Sequence, residues 1–405
     1  MQKRQVTQIV PFAAIAALAA LSVVTLSFAQ QPASSQIDPN PAVESGIGGT
    51  IDEALSQSLS GKTIPLTKYT FTGSRGTYSG KLVGGNPFAA NPKPVTLDAV
   101  FIPLILLISQ PDGSVVTFDP TVPDPCDPGG LSAVYRFQNS PLVVASDLTF
   151  NNVSVGKAQY IDGFMRAEFW NKTGGSPSYS NPINWSFHSG VAVFPPIPAT
   201  LAIVETGTCS QGGGVSQRGV ILQSEFSSFM KKLIIPILQS SGVISPTKFA
   251  FFLTKNVVTA KVIDFTTTPP TASGIFGGQH YATGSPVQTW ARAAYTVGGD
   301  VQTASHEIGE WMNDPLVTNK TPVWGAEGEV KAGSCASKLE VGDPTNGRGI
   351  PVITMNNYPY HLQELTFFSW FYNSKLQASL GAGGKFSSNH FFTGPSKPCP
   401  PGGSY

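Results

Sequence analysis

The sequence predicts an α/β (α+β) fold in a single domain, and three features support that expectation. From about Tyr69 onward, short β-prone runs alternate with Gly, Pro and Asn. Between them lie a few segments with the 3.6-residue apolar period of helices. No linker-like stretch interrupts residues 69–375. Charged residues make up only 12% of the 405, while Gly (42) and Pro (34) are plentiful. That balance suits a strand- and loop-rich extracellular chain better than a helical bundle.

The N-terminus sets the compartment. "MQKRQ" carries Lys3 and Arg4 and leads into the apolar run "IVPFAAIAALAALSVVTLSFA". The run closes on Ser27-Phe28-Ala29, small residues at the two positions a signal peptidase reads, so 1–29 reads as a signal peptide. An uncleaved anchor is the alternative, because the run is nearly long enough to span a bilayer. Residues 30–65, rich in Gln, Pro, Ser and Gly, read as a flexible linker with a short helix at "IDEALSQSLS".

The domain then spans 66–380. "PVTLDAVFIPLILLI", "GSVVTFDP", "SPLVVASDLTF", "PATLAIVE" and "KFAFFLT" are strand candidates. "KAQYIDGFMRAEFW" (157–170) is helical in pattern, as is "SEFSSFMKKLIIPILQSSG" (224–242), with Ser224 as cap, a bend at Pro236 and Gly242 as stop. "GGQHYATG" (277–284) is a Gly-bounded segment around His280. A further helix starts at Asp300 as N-cap, carries Val301, Ala304, Ile308, Trp311 and Met312 as an apolar stripe, and stops at "NDP". "KLEVGDP" and the core-forming aromatics of "LTFFSWFYNSKL" follow. Residues 381–405 form a Gly/Pro-rich tail.

Several classes of function are excluded. A formal net charge of +1 gives no electrostatic case for nucleic acid or an anionic membrane as partner. "LDAVFIPLILLIS" is too short for a span and reads as a buried strand, so no membrane span remains after signal cleavage. No GxSxG element or phosphate-binding Gly loop anchors a serine hydrolase or a nucleotide enzyme. Four cysteines in an oxidising compartment predict two disulfides with three possible connectivities. Cys126–Cys209 and Cys335–Cys399 join neighbouring regions and are the expected pairs. Asp162, Glu168 and Glu225 fall on helices away from other chemistry and are expected to be solvated or paired. His361 and His390, in aromatic surroundings, are expected at packed or surface positions.

The chemistry concentrates in "TASHEIGEWMNDP" (303–315). On a helix, residues i and i+4 share a face, so His306 and Glu310 can present an imidazole nitrogen and a carboxylate oxygen to one ion. Both are ordinary zinc ligands, and a catalytic zinc site needs three protein ligands plus an open position. Glu307, beside them, is placed as general base, as the glutamate of HExxH is. Chance alone predicts on the order of 0.004 HExxE matches in this composition, so coincidence is a poor account. The bland alternative is an amphipathic surface helix with His306 and Glu310 in solvent. By analogy with HExxH enzymes of the thermolysin type, Glu340 is the first choice for third metal ligand. Asp343 is then an orienting group or alternative ligand. Such a set is more acidic than two histidines and a glutamate, and weaker hydrolytic power follows.

"SHEIGEWMNDP" followed by "LEVGDP" resembles the secreted family typified by plant exordium (phosphate-induced) proteins and their bacterial and fungal relatives. These carry HEIAE or HELAE, then T-[DN]-P, a Trp-containing loop and an E-x-x-D segment followed by Cys. The resemblance covers about His280 to Asp343. His306, Glu307 and Glu310 fall on the HExxE, Asp314-Pro315 on the [DN]P, Trp324 on the loop tryptophan, and Glu340 and Asp343 on the E-x-x-D. "GGQH" is similar to a Gly-His element of that family and marks His280 as a substrate contact or fourth ligand, with a structural histidine in a Gly-rich strand as the alternative. The resemblance implies a zincin-like fold and an extracellular or cell-surface protein. Pro344 departs from the pattern, since relatives lead from that point to a Cys, whereas Cys335 lies upstream here.

The functional expectation is a secreted, extracellular or periplasmic, zinc-dependent hydrolase. It would be metallopeptidase-like and act on a peptide or cell-surface substrate. The alternative is a non-catalytic extracellular or cell-wall-associated binding protein on the same scaffold. For export, the expected outcome is a mature chain beginning at or near Gln30. N-terminal sequencing of secreted material checks this, and retention of Met1 would reverse it.

Overall fold

The computed structural model describes residues 63–392 except 74–75, 128, 176–177, 194, 210–214, 326–334 and 373–385. The expected signal peptide, nearly all of the linker with its "IDEALSQSLS" helix, and most of the 381–405 tail lie outside the described residues.

A 13-residue strand, Leu97–Ser109, runs through a seven-stranded sheet. It pairs in parallel with Phe249–Lys255 and with Ile183–Phe187. Phe249–Lys255 pairs in parallel with Gln288–Tyr295, and Gly278–Thr283 closes that edge antiparallel, placing His280 opposite Ala291. Strands covered on both faces read as unbroken apolar runs, and "FAFFLTK" is buried at every position. Asn256, at φ +53°, turns that strand into Val257–Asp264. This begins a four-stranded sheet in the order Thr271–Phe276, Val257–Asp264, Val215–Leu222, Ala202–Thr208. Mixed helix and strand content with open sheets is therefore observed, as expected.

The helix Gln302–Asn313 packs on Gly278–Thr283 and Gln288–Tyr295 and against the helix Tyr160–Glu168. Val301, Ala304, Ile308, Trp311 and Met312 enter the main core, as the periodicity required. Trp311 stacks on Phe249 at 3.8 Å between ring centroids, and its Nε1–H donates to Thr289 Oγ1 at 3.1 Å. The helix begins one residue later than expected. Val301, not Asp300, holds the N-cap position. Asp300 has φ +32°, and its carboxylate accepts from the Val301 N–H and from the His361 N–H, with His361 Nδ1 at 2.8 Å. It ties the helix entrance to the strand Tyr358–His361.

Gln223–Phe229 continues through a π turn, Met230–Ile234, into Ile235–Ser240. The expected irregularity at Pro236 is thus absorbed by one wide turn just before it, where a proline ring would clash with an α-helical carbonyl. Cys126 and Cys209 are disulfide-bonded. Cys335 is disulfide-bonded as well, and Cys399, its expected partner, lies outside the described residues. No helix among the described residues is long and apolar enough to cross a membrane. Residues 386–392 fall within the expected tail and yet pack on the domain. Ser387 and Ser388 are buried, and Ser388 Oγ and the Asn389 side chain donate to Glu364.

Asp162 is paired with Arg166 at 2.7 Å, as expected. Glu168 is neither solvated nor ion-paired: it is fully buried and accepts the Phe368 N–H at 2.7 Å. Burial pushes its pKa up to about 8, against the opposing pull of the Phe368 N–H and Asn313. A folded value above the unfolded 4.5 means the folded state holds this proton more tightly. The contribution to stability is full below pH 4.5 and is lost as pH rises through about 8. Glu168→Gln should therefore raise the melting temperature relative to wild type at about pH 9 and gain little at about pH 4. Thermal melts across that range check this, and a gain that does not grow with pH would contradict it.

Candidate metal centre

His306 and Glu310 stand one turn apart on the helix, with His306 Nε2 2.9 Å from Glu310 Oε1. Asp343 Oδ1 lies 3.4 Å from the same nitrogen. Ligand atoms of these three side chains lie close enough together to share one ion. The second oxygen of Glu310, Oε2, faces His280 Nδ1 at 3.3 Å, and Glu307 Oε2 lies 3.6 Å from that nitrogen. His280, Glu307 and Glu310 thus form another such group. Glu340 Oε2 approaches the far nitrogen of His280, Nε2, at 3.7 Å.

All five residues named on the helix and its neighbouring segment come together with His280, but their roles shift. Asp343, not Glu340, joins His306 and Glu310. Asp343 opens the short 3-10 turn Asp343–Thr345 beside His306, whereas Glu340, three residues earlier, reaches the His280 side. His280 is 1% exposed and stands among the acids rather than on a face that a substrate could reach. A solvated surface helix is excluded, because every residue of Gln302–Asn313 is buried.

Burying this many polar groups demands compensation. Among the described residues, both nitrogens of His280 and of His306, both oxygens of Glu307, and Oε2 of Glu310 and Glu340 lack a hydrogen-bond partner. The contacts are short, but they are not aligned as hydrogen bonds. Lone pairs converge instead of facing protons. Zinc bonds of 2.0–2.1 Å at tetrahedral angles would separate ligand atoms by about 3.3 Å, close to the 2.9–3.6 Å seen here. The donor set fits a divalent cation.

The protonation energetics agree. Burial alone would lower both imidazoles, yet Glu340 facing His280 and Glu310 facing His306 raise both well above the ordinary histidine value. Burial would raise Glu310, and His306 and His280 on either side overcome this and hold it well below the usual carboxylate range. Burial dominates at Glu307 and pushes it up to about 7. Glu340 is likewise raised by burial and by Glu310. Such raised values are the cost of carboxylates without a matching cation.

The supporting frame is made of groups whose part no local pattern announces. Trp324 Nε1–H donates to the Lys338 carbonyl at 2.8 Å, fixing Ala336–Lys338 beside Lys320–Trp324. The Leu339 N–H reaches the Asn319 carbonyl, and the Thr366 N–H reaches that of Val341. Asp314 Oδ1 accepts the Thr318 and Asn319 N–H groups, which turns the chain sharply after the helix. The Gly342 N–H donates to Glu310 Oε1 at 3.3 Å. A Cβ at Gly342 would collide with His306 Nδ1, and one at Gly278 with Glu307 Oε1. Both glycines are therefore the space the two key side chains occupy. Arg292, fully buried on the strand paired with that of His280, places a positive charge near Glu307. An arginine inside "QTWARAAY" was the one sequence signal that pointed to it.

Comparison of the chain with protein-family models, with curated proteins and with solved structures returns no match.

Gly342→Ala should displace the His306 ring. The expected effect is a loss of about 10- to 100-fold in metal affinity, with a stability cost of about 1–3 kcal/mol from overpacking. Chelator competition and denaturant unfolding measure the two separately. Unchanged affinity would show that His306 is not a ligand.

Proposed function

We propose that this chain is a secreted, zinc-dependent hydrolase with a zincin-like arrangement, acting on peptide or cell-surface substrates in the manner of a metallopeptidase. The observation that carries the reading is Glu307. It adjoins the His306–Glu310 pair on the same helix, is fully buried, and has no hydrogen-bond partner for either oxygen among the described residues. Its carboxylate faces His280 Nδ1 at 3.6 Å with Arg292 nearby, ionic neighbours that leave both oxygens without a hydrogen bond. The resemblance of "SHEIGEWMNDP" and "LEVGDP" to the exordium family points the same way, as do the leader-like N-terminus and the disulfide, which fits an oxidising compartment.

In this reading His306, Glu310 and Asp343 hold the ion. When bound, a zinc ion polarises a carbonyl and makes water a usable nucleophile near neutral pH. Glu307 removes the proton from the attacking water and returns it to the leaving group. Gly278 leaves the space for its carboxylate, and the surrounding core keeps other water out. Asp343, with 15% of its side chain exposed, marks the side from which a substrate would approach.

The second reading is a non-catalytic extracellular protein that uses the ion structurally. The burial favours it: His280, His306, Glu307 and Glu310 are 0–1% exposed. Structural zinc sites are closed and catalytic ones keep an open position.

Two variants separate the readings. His306→Ala should abolish metal binding at its group. Glu307→Gln should keep at least one ion per chain and lose about 10²–10⁴-fold in hydrolysis of a peptide library. Metal analysis and turnover of both variants beside wild type check this. Hydrolysis that survives Glu307→Gln defeats the mechanism, and a metal-loaded wild type without turnover establishes the structural role.

A further inference from the structure

The donor groups around the helix are too many and too far divided for one ion. Glu310 is the only residue common to the two groups, and it gives a different oxygen to each: Oε1 to His306 at 2.9 Å and Oε2 to His280 at 3.3 Å. A carboxylate that turns one oxygen to each of two imidazoles has the arrangement of a bridge between two cations.

We infer that the chain builds a second divalent-cation site on His280 and Glu307, joined to the first through Glu310. The inference rests on the reading that His306, Glu310 and Asp343 bind a metal, and adds an ion to it. His280 supplies the independent observation. It is 99% buried, and neither ring nitrogen has a hydrogen-bond partner among the described residues. Its Nδ1 faces Glu307 and Glu310, while Glu340 stands 3.7 Å from Nε2. A metal-ligating histidine that presents its other ring N–H to a carboxylate is the common pattern that fixes the tautomer. Glu340 is the carboxylate nearest that position, buried and yet outside both ligand groups.

Charge supports the same count. Glu307, Glu310, Glu340 and Asp343 put four carboxyls around two imidazoles in a nearly water-free site. One divalent ion leaves two negative charges, of which Arg292 beside Glu307 offsets one, and a second ion covers the other. Uncompensated buried charge is among the costliest features a fold can carry. Glu307 serves the second ion through Oε2, which faces His280, and keeps Oε1, on the Gly278 side, for the proton transfer proposed above. Enzymes with paired ions set them about 3.5–4 Å apart and use both to clamp the reacting oxygens.

The experiment counts ions. Metal-stripped full-length mature protein is dialysed against Zn2+, and bound zinc per chain is measured for wild type, His280→Ala and Asp343→Asn, with melting curves to confirm folding. The expected result is two ions in wild type and one in His280→Ala. Asp343→Asn should weaken the first ion by about 10-fold or more while the second remains. A spectroscopic arm needs no variant: with Mn2+ the wild type should show the exchange-coupled paramagnetic resonance of a paired centre rather than the six-line signal of an isolated ion. One ion in wild type, retained in His280→Ala and lost in His306→Ala, overturns the second site and leaves the hydrolase reading standing. No ion in wild type overturns both. Two ions with hydrolysis intact in Glu307→Gln overturns the hydrolase reading alone.

Discussion

A helix that carries His306, Glu307 and Glu310 into a closed core is the constraint to which the neighbouring structure answers. An ionised carboxylate left alone in such a place costs several kcal/mol, and three acidic side chains converge there with a fourth beside them. The apolar half of the same helix leaves no choice about the burial, because Ile308, Trp311 and Met312 are needed by the core. Packing therefore drives the polar half into a place that only a cation, or protons held at unusual affinity, can make tolerable. The strain on the helix is electrostatic and is met by chemistry rather than by repacking.

The segment from Ala336 to Thr345 is held by backbone bonds more than by its side chains. Trp324, Asn319, Thr366 and the Gly342–Glu310 contact fix it from four directions. Gln363 adds a fifth, donating to the Thr345 carbonyl at 3.2 Å. Ligand-bearing loops need this, since an imidazole or carboxylate misplaced by an ångström no longer meets its ion. Rigid support of this kind lets Asp343 sit at the solvent boundary without drifting from His306.

Much of this was legible in the sequence, and the limits are physical. The helix, its apolar stripe and the shared face of His306 and Glu310 follow from a local period of 3.6 residues, so they could be read directly. The buried strands were readable for the same reason, as unbroken apolar runs. The choice between Glu340 and Asp343 was not local. It depends on a loop whose path is set by Trp324 and Asn319, some twenty residues away along the chain, and by the missing side chain of Gly342. The Asp300 cap failed because its carboxylate had a competing partner in His361, sixty-one residues on. Glu168 was misjudged because helical spacing reveals which residues share a face, while the depth of that face is decided by what packs over it.

The clasp on Glu364 has a consequence for the order of events during synthesis. Glu364 follows Gln363, which steadies the Gly342–Thr345 turn, and its carboxylate is met by Ser388 and Asn389, which follow the cluster in the chain. A ribosome releases those donors after every residue of the cluster. Until they arrive, the residue beside the loop's support has a buried carboxylate awaiting its partners, and the segment that carries Glu340 and Asp343 has an unfinished wall. The histidine–carboxylate cluster, encoded between His280 and Asp343, thus has its surroundings completed only after Ser388 and Asn389 have emerged.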